Sequence, residues 1–301
     1  MSAGRIGSLS LLTNIQRDVG GSQVKLAELQ NQISSGYKAP DFAGLDGSVE
    51  QFTQVNGQIN RTKQYNINNQ LNISKLQTAD VAISKIVDIA DRIKTNIVSG
   101  NSANLQSSNL PQIIEDLLVA FGSELNANFN GYYLFGGTDT TNPPVPDTTV
   151  TNTVNGQPDD NYYAGAKADA TFRVDDRTET AFPARADDAA FQKIYAAARQ
   201  AISAAENNDT EELQRAQQLI QDGQKDLISV RSRVGTSLLN IQAIDDRLKA
   251  MTNHWKELTD SVSKTDIVAA STEVASYQSI LQASFQVYSR LSQLRLSDYL
   301  N

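Results

Sequence analysis

Apolar side chains recur at alternating spacings of three and four residues near both ends of the chain. At the start these are Leu12, Ile15, Val19, Leu26, Leu29 and Ile33, with Ser22 as the one polar member of the series. At the end they are Ile267, Ala270, Val274, Tyr277, Leu281, Tyr288 and Leu291, with Ser284 in the polar role. A third run has the same spacing: Leu76, Ala79, Ile83, Ile86, Ala90, Ile93 and Ile97. A seven-residue apolar repeat makes a narrow seam, and a narrow seam requires a helix packed lengthwise on another helix. Strands would need alternation with a period of two, so a sheet cannot account for these regions. Between Phe52 and Leu76 the repeat slips where Asn66, Asn68, Asn69 and Asn72 crowd in, which predicts a long helix with a changed seam.

The middle of the chain has a different character. Five of the seven prolines fall between Pro143 and Pro183. The same stretch holds Thr148–Thr151, the turn pair Asn155-Gly156, Tyr162-Tyr163 and Ala170–Val174. Thr, Tyr, Phe and Val beside Asn-Gly turns predict short strands and hairpins. Helix resumes with Phe191, Ile194, Tyr195, Ala198 and Ile202 on one face, and Asn207-Asn208-Asp209 breaks it. Thr210 is placed to cap the next helix, with Glu211 and Glu212 in the first turn near the positive end of its dipole. That helix is expected to reach about Leu258, and a linker is expected at Gly36 to Gly47, where Pro40, Gly44 and Gly47 interrupt the pattern.

The fold class that follows is mainly α: a long heptad-repeat helical bundle or coiled coil formed by the N- and C-terminal regions, with a small β-rich insert in the middle. The expected organisation is a terminal coiled-coil polymerisation region at 1–40 and 265–301, a helical bundle domain at 41–140 and 187–264, and a β-rich outer insert at 141–186. One seam of six apolar side chains weighs little against the backbone entropy of ordering such a segment. Gly20-Gly21 in mid-helix weakens the N-terminal segment further. The hypothesis is that the terminal segments are largely disordered in the free monomer and fold when other copies or another protein cover them. An ordinary intramolecular coiled coil is the alternative, and amide exchange on the dilute monomer decides between them.

Composition closes most routes to chemistry. The 26 Lys and Arg against 34 Asp and Glu leave a net charge of −8, which disfavours nucleic acid as a partner, since phosphate binding needs a basic face. With no Cys there is no disulfide framework, thiolate metal site or Cys nucleophile, and one His, His254, gives no zinc cluster. Asp41 to Asp46 lacks the spacing of a calcium loop, and Asp139, Asp147, Asp159, Asp160, Asp175 and Asp176 read as solvated loop carboxylates. Gly131–Thr138 is glycine-rich but lacks the Lys-Ser/Thr ending of a phosphate loop, and no Gly-x-Ser-x-Gly elbow occurs. No catalytic residue, cofactor site or metal site is expected, and the enzyme class is the least favoured. Met1 to Leu9 has no apolar core long enough for a secretory signal, and no run reaches the length of a membrane span.

Several short segments, in order, resemble the flagellin family. Ile33-Ser34-Ser35-Gly36-Tyr37-Lys38, after the first heptad helix, resembles the family's Leu-Ser-Ser/Thr-Gly-Lys/Arg segment. Ala39–Leu45 sits where the family has an Asp-Asp-Ala/Pro turn, although the Asp doublet is missing here. Asp266–Glu273 resembles the segment that opens the last helix. Within the family, three features are more similar to the members that join hook to filament than to filament flagellin: Asn130–Thr138 around Tyr133-Leu134-Phe135-Gly136, Arg231–Gly235, and the ending Leu294-Arg295-Leu296-Ser297-Asp298-Tyr299-Leu300. The insert from about 141 to 186 lies outside the resemblance.

The resemblance implies a structural adaptor of the bacterial flagellum, assembled as a short ring of copies of itself, with the preceding hook-associated protein on one side and flagellin on the other. It further implies passage through the flagellar type III channel without a cleaved signal, an extracellular location on the flagellum, and a cytosolic export chaperone on the C-terminal segment. The expected polymerisation interface is Leu12, Ile15, Val19, Leu26, Leu29, Ile33, Val274, Tyr277, Leu281, Tyr288 and Leu291. Filament-forming flagellin is the nearest alternative, and a secreted helical adhesin or translocator is the alternative from another class.

Overall fold

A computed structural model describes residues 3–39, 49–102, 109–146 and 156–300. In chain order the elements are α1 (Ala3–Ser35), α2 (Val49–Ser102), α3 (Leu110–Leu125), β1 (Asn128–Phe129), β2 (Tyr132–Tyr133), β3 (Thr171–Arg173), β4 (Glu179–Ala181), α4 (Ala189–Asn207), α5 (Thr210–Ser263) and α6 (Ile267–Leu300). The fold is mainly α with a small β insert, as the periodicity implies. Most of the proposed linker, 40–47, and the strand expected at Thr148–Thr151 lie outside the described residues, as does Asn155 of the expected turn.

The chain divides into two compact units: one built from 1–60 and 252–301, the other from 61–251. The second unit holds most of the core. On α2, Ile73, Leu76, Ile83, Ile86, Ile93 and Ile97 are buried at helical spacing. On α5 the matching stripe is Leu213, Ile220, Leu227, Val230, Val234 and Ile241. The two helices run antiparallel, tied by Gln70 to Asp245 at 2.6 Å, Arg231 to Asp80 at 3.0 Å and Gln224 to Asp91 at 2.6 Å. α3 packs on α4. Phe121, Phe135, Phe182 and Phe191 form a chain of edge-to-face rings 6.2–6.4 Å apart. Edge-to-face packing places the positive ring edge on a neighbour's negative face.

Three local expectations are corrected. α3 is absent from the layout read off the sequence, although Ile114, Leu117, Leu118, Phe121 and Leu125 bury a helical stripe. α5 opens on Asp209 rather than on a Thr210 cap: Asp209 Oδ1 accepts the Glu212 amide at 2.9 Å, and the carboxylate thereby meets an orphan donor of the first turn. Tyr162-Tyr163 forms no strand. Tyr162 is instead stacked on Tyr195 at 4.6 Å and donates its hydroxyl to the Ala186 carbonyl at 2.7 Å. Burial first of all, with Asp187 nearby, raises the Tyr162 hydroxyl well above the ordinary tyrosine range.

Among the described residues the strands form two small antiparallel hairpins, β1–β2 and β3–β4. In the second, Phe172 pairs with Thr180. Its turn is held by the Asp175 carboxylate, which accepts the Arg177 and Thr178 amides at 2.8 and 2.7 Å. Asp139 plays the same part for Thr141 and Asn142. Hydrogen bonds from Asn142 and from the Thr141 amide lower the Asp139 carboxyl.

Candidate functional site

The segments read at opposite ends of the sequence meet in the first unit. α1 stops at Ser35, where Gly36 takes a left-handed φ of +77° and donates its amide to the Gln32 carbonyl at 2.8 Å. Glycine accepts that conformation without a Cβ penalty, so it serves as the helix stop. Just beyond, Tyr37 and Lys264 form an isolated antiparallel bridge. Lys38 donates its amide to Ser263 O at 2.9 Å, and Thr265 donates to Gly36 O at 3.0 Å. Asp266 then caps α6 by accepting the Val268 and Ala269 amides, both at 3.0 Å. The Ser-Ser-Gly-Tyr-Lys and Asp-Ile-Val-Ala segments therefore share one junction.

From this junction α1 and α6 pack on each other antiparallel. Lys25 on α1 is raised mainly by its bond to Glu28, and it also feels Tyr277 and Glu273 across the seam. Several residues of the apolar series lie along this pair. Leu29 is 4% exposed and Leu281 8%, while Ile15, Val19, Leu26, Ile33, Val274 and Tyr277 are half-buried. Tyr288 is 38% exposed. Leu12 and Leu291 lie on α1 and α6, and their side chains fall outside the described residues. Of the C-terminal segment 294–300, the backbone is helix.

Among the described residues, large apolar side chains elsewhere on these two helices are uncovered. Val268 is 78% exposed and Phe285 52%, and Ile267, Ile280, Val287 and, on α1, Val24 are exposed as well. An amphipathic helix normally buries its apolar face, whereas these large apolar side chains stay exposed on both helices. Apart from Ile267, these residues are not members of the heptad series. Their signal in the sequence is the second apolar residue beside each seam position, as in Ile267-Val268 and Val287-Tyr288.

The other segments singled out by resemblance hold the second unit together. Arg231 pairs with Asp80, while Arg233 donates to the Pro183 carbonyl at 3.1 Å and to Asp188 at 3.0 Å; Val234, next to Arg233, is fully buried. In Asn130–Thr138, Phe135 sits in the core. Gly137 has φ +66° and a Cβ there would collide with the Ala166 carbonyl, so only glycine fits.

A cleft of about 410 Å³ beside Phe182 and Pro183 is lined by Asp169, Arg185, Asp188 and Arg233. Its charges are paired with one another: Arg185 with Asp169 and Asp187, Arg233 with Asp188. Burial raises the Asp188 carboxyl, against the pull of the Arg185 amide and Arg233. This pairing leaves no free charge directed at a ligand. Among the described residues no group of three or more His, Cys, Asp or Glu side chains could hold a metal ion, and His254 is exposed on α5. No described helix is long and apolar enough to cross a membrane.

The chain is mainly helical, with an antiparallel α1–α6 pair in one unit and a helical core with two small hairpins in the other. Residues 6–140 match the model of the bacterial flagellin N-terminal helical region, so this part of the chain is similar to flagellin. The chain's fold is shared with the crystal structure of Bacillus cereus FlgL, at 16% identity and a TM-score of 0.54, covering 68% of this chain and 96% of that one. It is also shared with a structure from Vibrio parahaemolyticus bearing the name of a flagellar hook-associated protein, at 13% identity and a TM-score of 0.60, covering 72% and 97%. No curated protein sequence matches the chain.

Proposed function

We propose that this chain is a structural adaptor of the bacterial flagellum that joins the hook, through the preceding hook-associated protein, to the flagellin filament. The observation that carries the reading is the α1–α6 pair, which buries one seam and leaves large apolar side chains exposed on its outer faces. The flagellin N-terminal match and the fold shared with FlgL supply the context. In this account Leu12, Ile15, Val19, Leu26, Leu29, Ile33, Val274, Tyr277, Leu281, Tyr288 and Leu291 hold the terminal pair in register. Neighbouring copies then cover the outer faces in a ring, with the preceding hook-associated protein and flagellin on its two sides. A pair closed on one side only is marginal in the free monomer and becomes ordered by assembly. The chain acts without catalysis, works outside the cell on the flagellum, and leaves without a cleaved signal. Before export, a cytosolic chaperone covers the apolar face of α6, in the manner of a helix laid in a groove.

Filament flagellin is the competing reading, favoured by the flagellin match itself. The two differ in whether growth stops. Purified chain incubated alone should form no long filaments under conditions that polymerise flagellin, and should bind the ends of preformed flagellin filaments. Unlimited filaments of this chain alone would assign it to flagellin.

A further inference from the structure

The seam between α2 and α5 changes character at one level. Above it Ile73 and Ile241 are buried among apolar neighbours. One turn lower the seam residues are Asn69, 0% exposed, and Asp245, 1% exposed, with Asn66 and Asn72 alongside. Asp245 Oδ2 takes bonds from Gln70 at 2.6 Å and Lys249 at 2.7 Å. Asp245 Oδ1, Asn69 Oδ1 and Asn66 Oδ1 are buried and accept no hydrogen bond from the described residues. Buried acceptors without donors destabilise the closed arrangement of the helices that hold them. This level cannot stay closed by helix packing in the way the apolar level above it does.

The tip of the β3–β4 hairpin lies over this level. Asn69 donates to the Val174 carbonyl at 2.9 Å, a bond that fixes its amide orientation and leaves Oδ1 on the other side. Tyr65 donates its hydroxyl to Asp176 at 3.1 Å, and Arg61 stands 3.5 Å from the same carboxylate. On α5, Arg247 donates to Asp175 Oδ2 at 2.6 Å. Asp175 is the residue whose other oxygen builds the hairpin turn, so shaping the tip and attaching it depend on one carboxylate. Val174, at the centre of the tip, is fully buried.

We propose that the β3–β4 hairpin is a detachable latch, held by charged and polar bonds together with the buried Val174 and the packing of Phe172, over an incompletely satisfied polar level of the α2–α5 pair. Release lets that level open while the apolar level stays packed. The latch lies within residues 61–251 and does not rest on the flagellar reading. It gives anything that engages the insert a direct route to the long helices, through Asp175 and Asp176.

The test is amide exchange on the full chain, comparing wild type, Arg247→Lys, and the triple variant Arg61→Ala/Tyr65→Phe/Arg247→Ala. Arg61 and Arg247 are exposed, and Tyr65→Phe removes only a hydroxyl, so the core is left intact. Exchange at Phe172 and Thr178 reports whether the hairpin has come away. In the triple variant, exchange at 65–72 and 241–249 should accelerate at least about tenfold together with the hairpin, with 83–97 and 114–125 unchanged. Raised salt should do the same to wild type in smaller measure, because part of the latch is exposed ion pairing. Arg247→Lys should retain most of the protection. A released hairpin with 65–72 still protected, a hairpin that stays protected in the triple variant, or a uniform loss across the unit would each overturn the proposal.

Discussion

Leu281→Asp puts the terminal pair under the sharpest strain. Leu281 is 8% exposed, so nearly all of its side chain leaves water in the seam. Burying a leucine stabilises by about 1.5–3 kcal/mol, and truncation to alanine on a seam open to solvent on two sides belongs near the low end of the usual range, about 2 kcal/mol. The register given by Tyr37–Lys264 places Leu281 near Val19 to Ser22, where no cationic side chain stands to meet a carboxylate. An unpaired buried charge costs more than the lost contact, so the pair separates instead, at a total cost of about 3 kcal/mol or more. That is a factor of about 100 or more in the closed population, using 1.4 kcal/mol per tenfold. Amide exchange should show the remaining protection of α1 and α6 lost, and the melting of residues 61–251 unchanged. Incorporation into flagella should fall by a similar factor. Normal flagella on cells carrying the variant would refute the assignment of this seam.

Gly20→Ala/Gly21→Ala should strengthen α1, because a Cβ at either position meets nothing within 4 Å and alanine is favoured by about 1 kcal/mol per site; slower exchange across 15–30 is the readout. Tyr162→Phe leaves the buried Ala186 carbonyl without its donor and should cost about 1–3 kcal/mol in a chemical melt, a loss that an unchanged midpoint would contradict. Gly137→Ala combines a positive φ with a collision at Ala166 O and should destabilise the second unit strongly, seen as a lower melting temperature. Burial pushes the Asp175 carboxyl up, but the Arg177 and Thr178 bonds and the Arg247 charge outweigh it and lower the group below 3.8. Its stabilisation is therefore complete above the ordinary carboxylate range and is lost as pH falls through the lowered value. Asp175→Asn should flatten the acid limb of the stability curve, and an unaltered acid limb would remove this assignment.

The helices were legible where one periodicity dominates. The three-four spacing from Ile15 to Ile33 and from Ala270 to Leu281 marks the side chains that α1 and α6 turn toward each other. Ser22 and Ser284, the two polar members, are half-buried at the expected places in the series. α3 was legible in principle from Ile114 to Leu125, but it is short, with Pro111 in its first turn. The Asp209 cap was obscured by Thr210, since either residue type can cap a helix and only the backbone decides which stands outside the first turn. The Asn-rich part of α2 gave a shifted seam and no more, because the groups that answer Asn69 and Tyr65 come from Val174 and Asp176, over a hundred residues away in sequence. A polar residue that will be buried by a distant hairpin looks locally like a solvated one. The exposed apolar faces of α1 and α6 were hidden by the same logic, since the heptad rule accounts for one seam only.

The central claim is that the chain sits between hook and filament. Antibody raised against the purified chain and depleted of flagellin-binding species, applied to isolated flagella of the source bacterium with gold detection in the electron microscope, tests it directly. The account predicts label in a narrow band at the hook–filament boundary. Label along the whole filament would contradict it in favour of flagellin, and flagella without label would contradict the flagellar reading altogether.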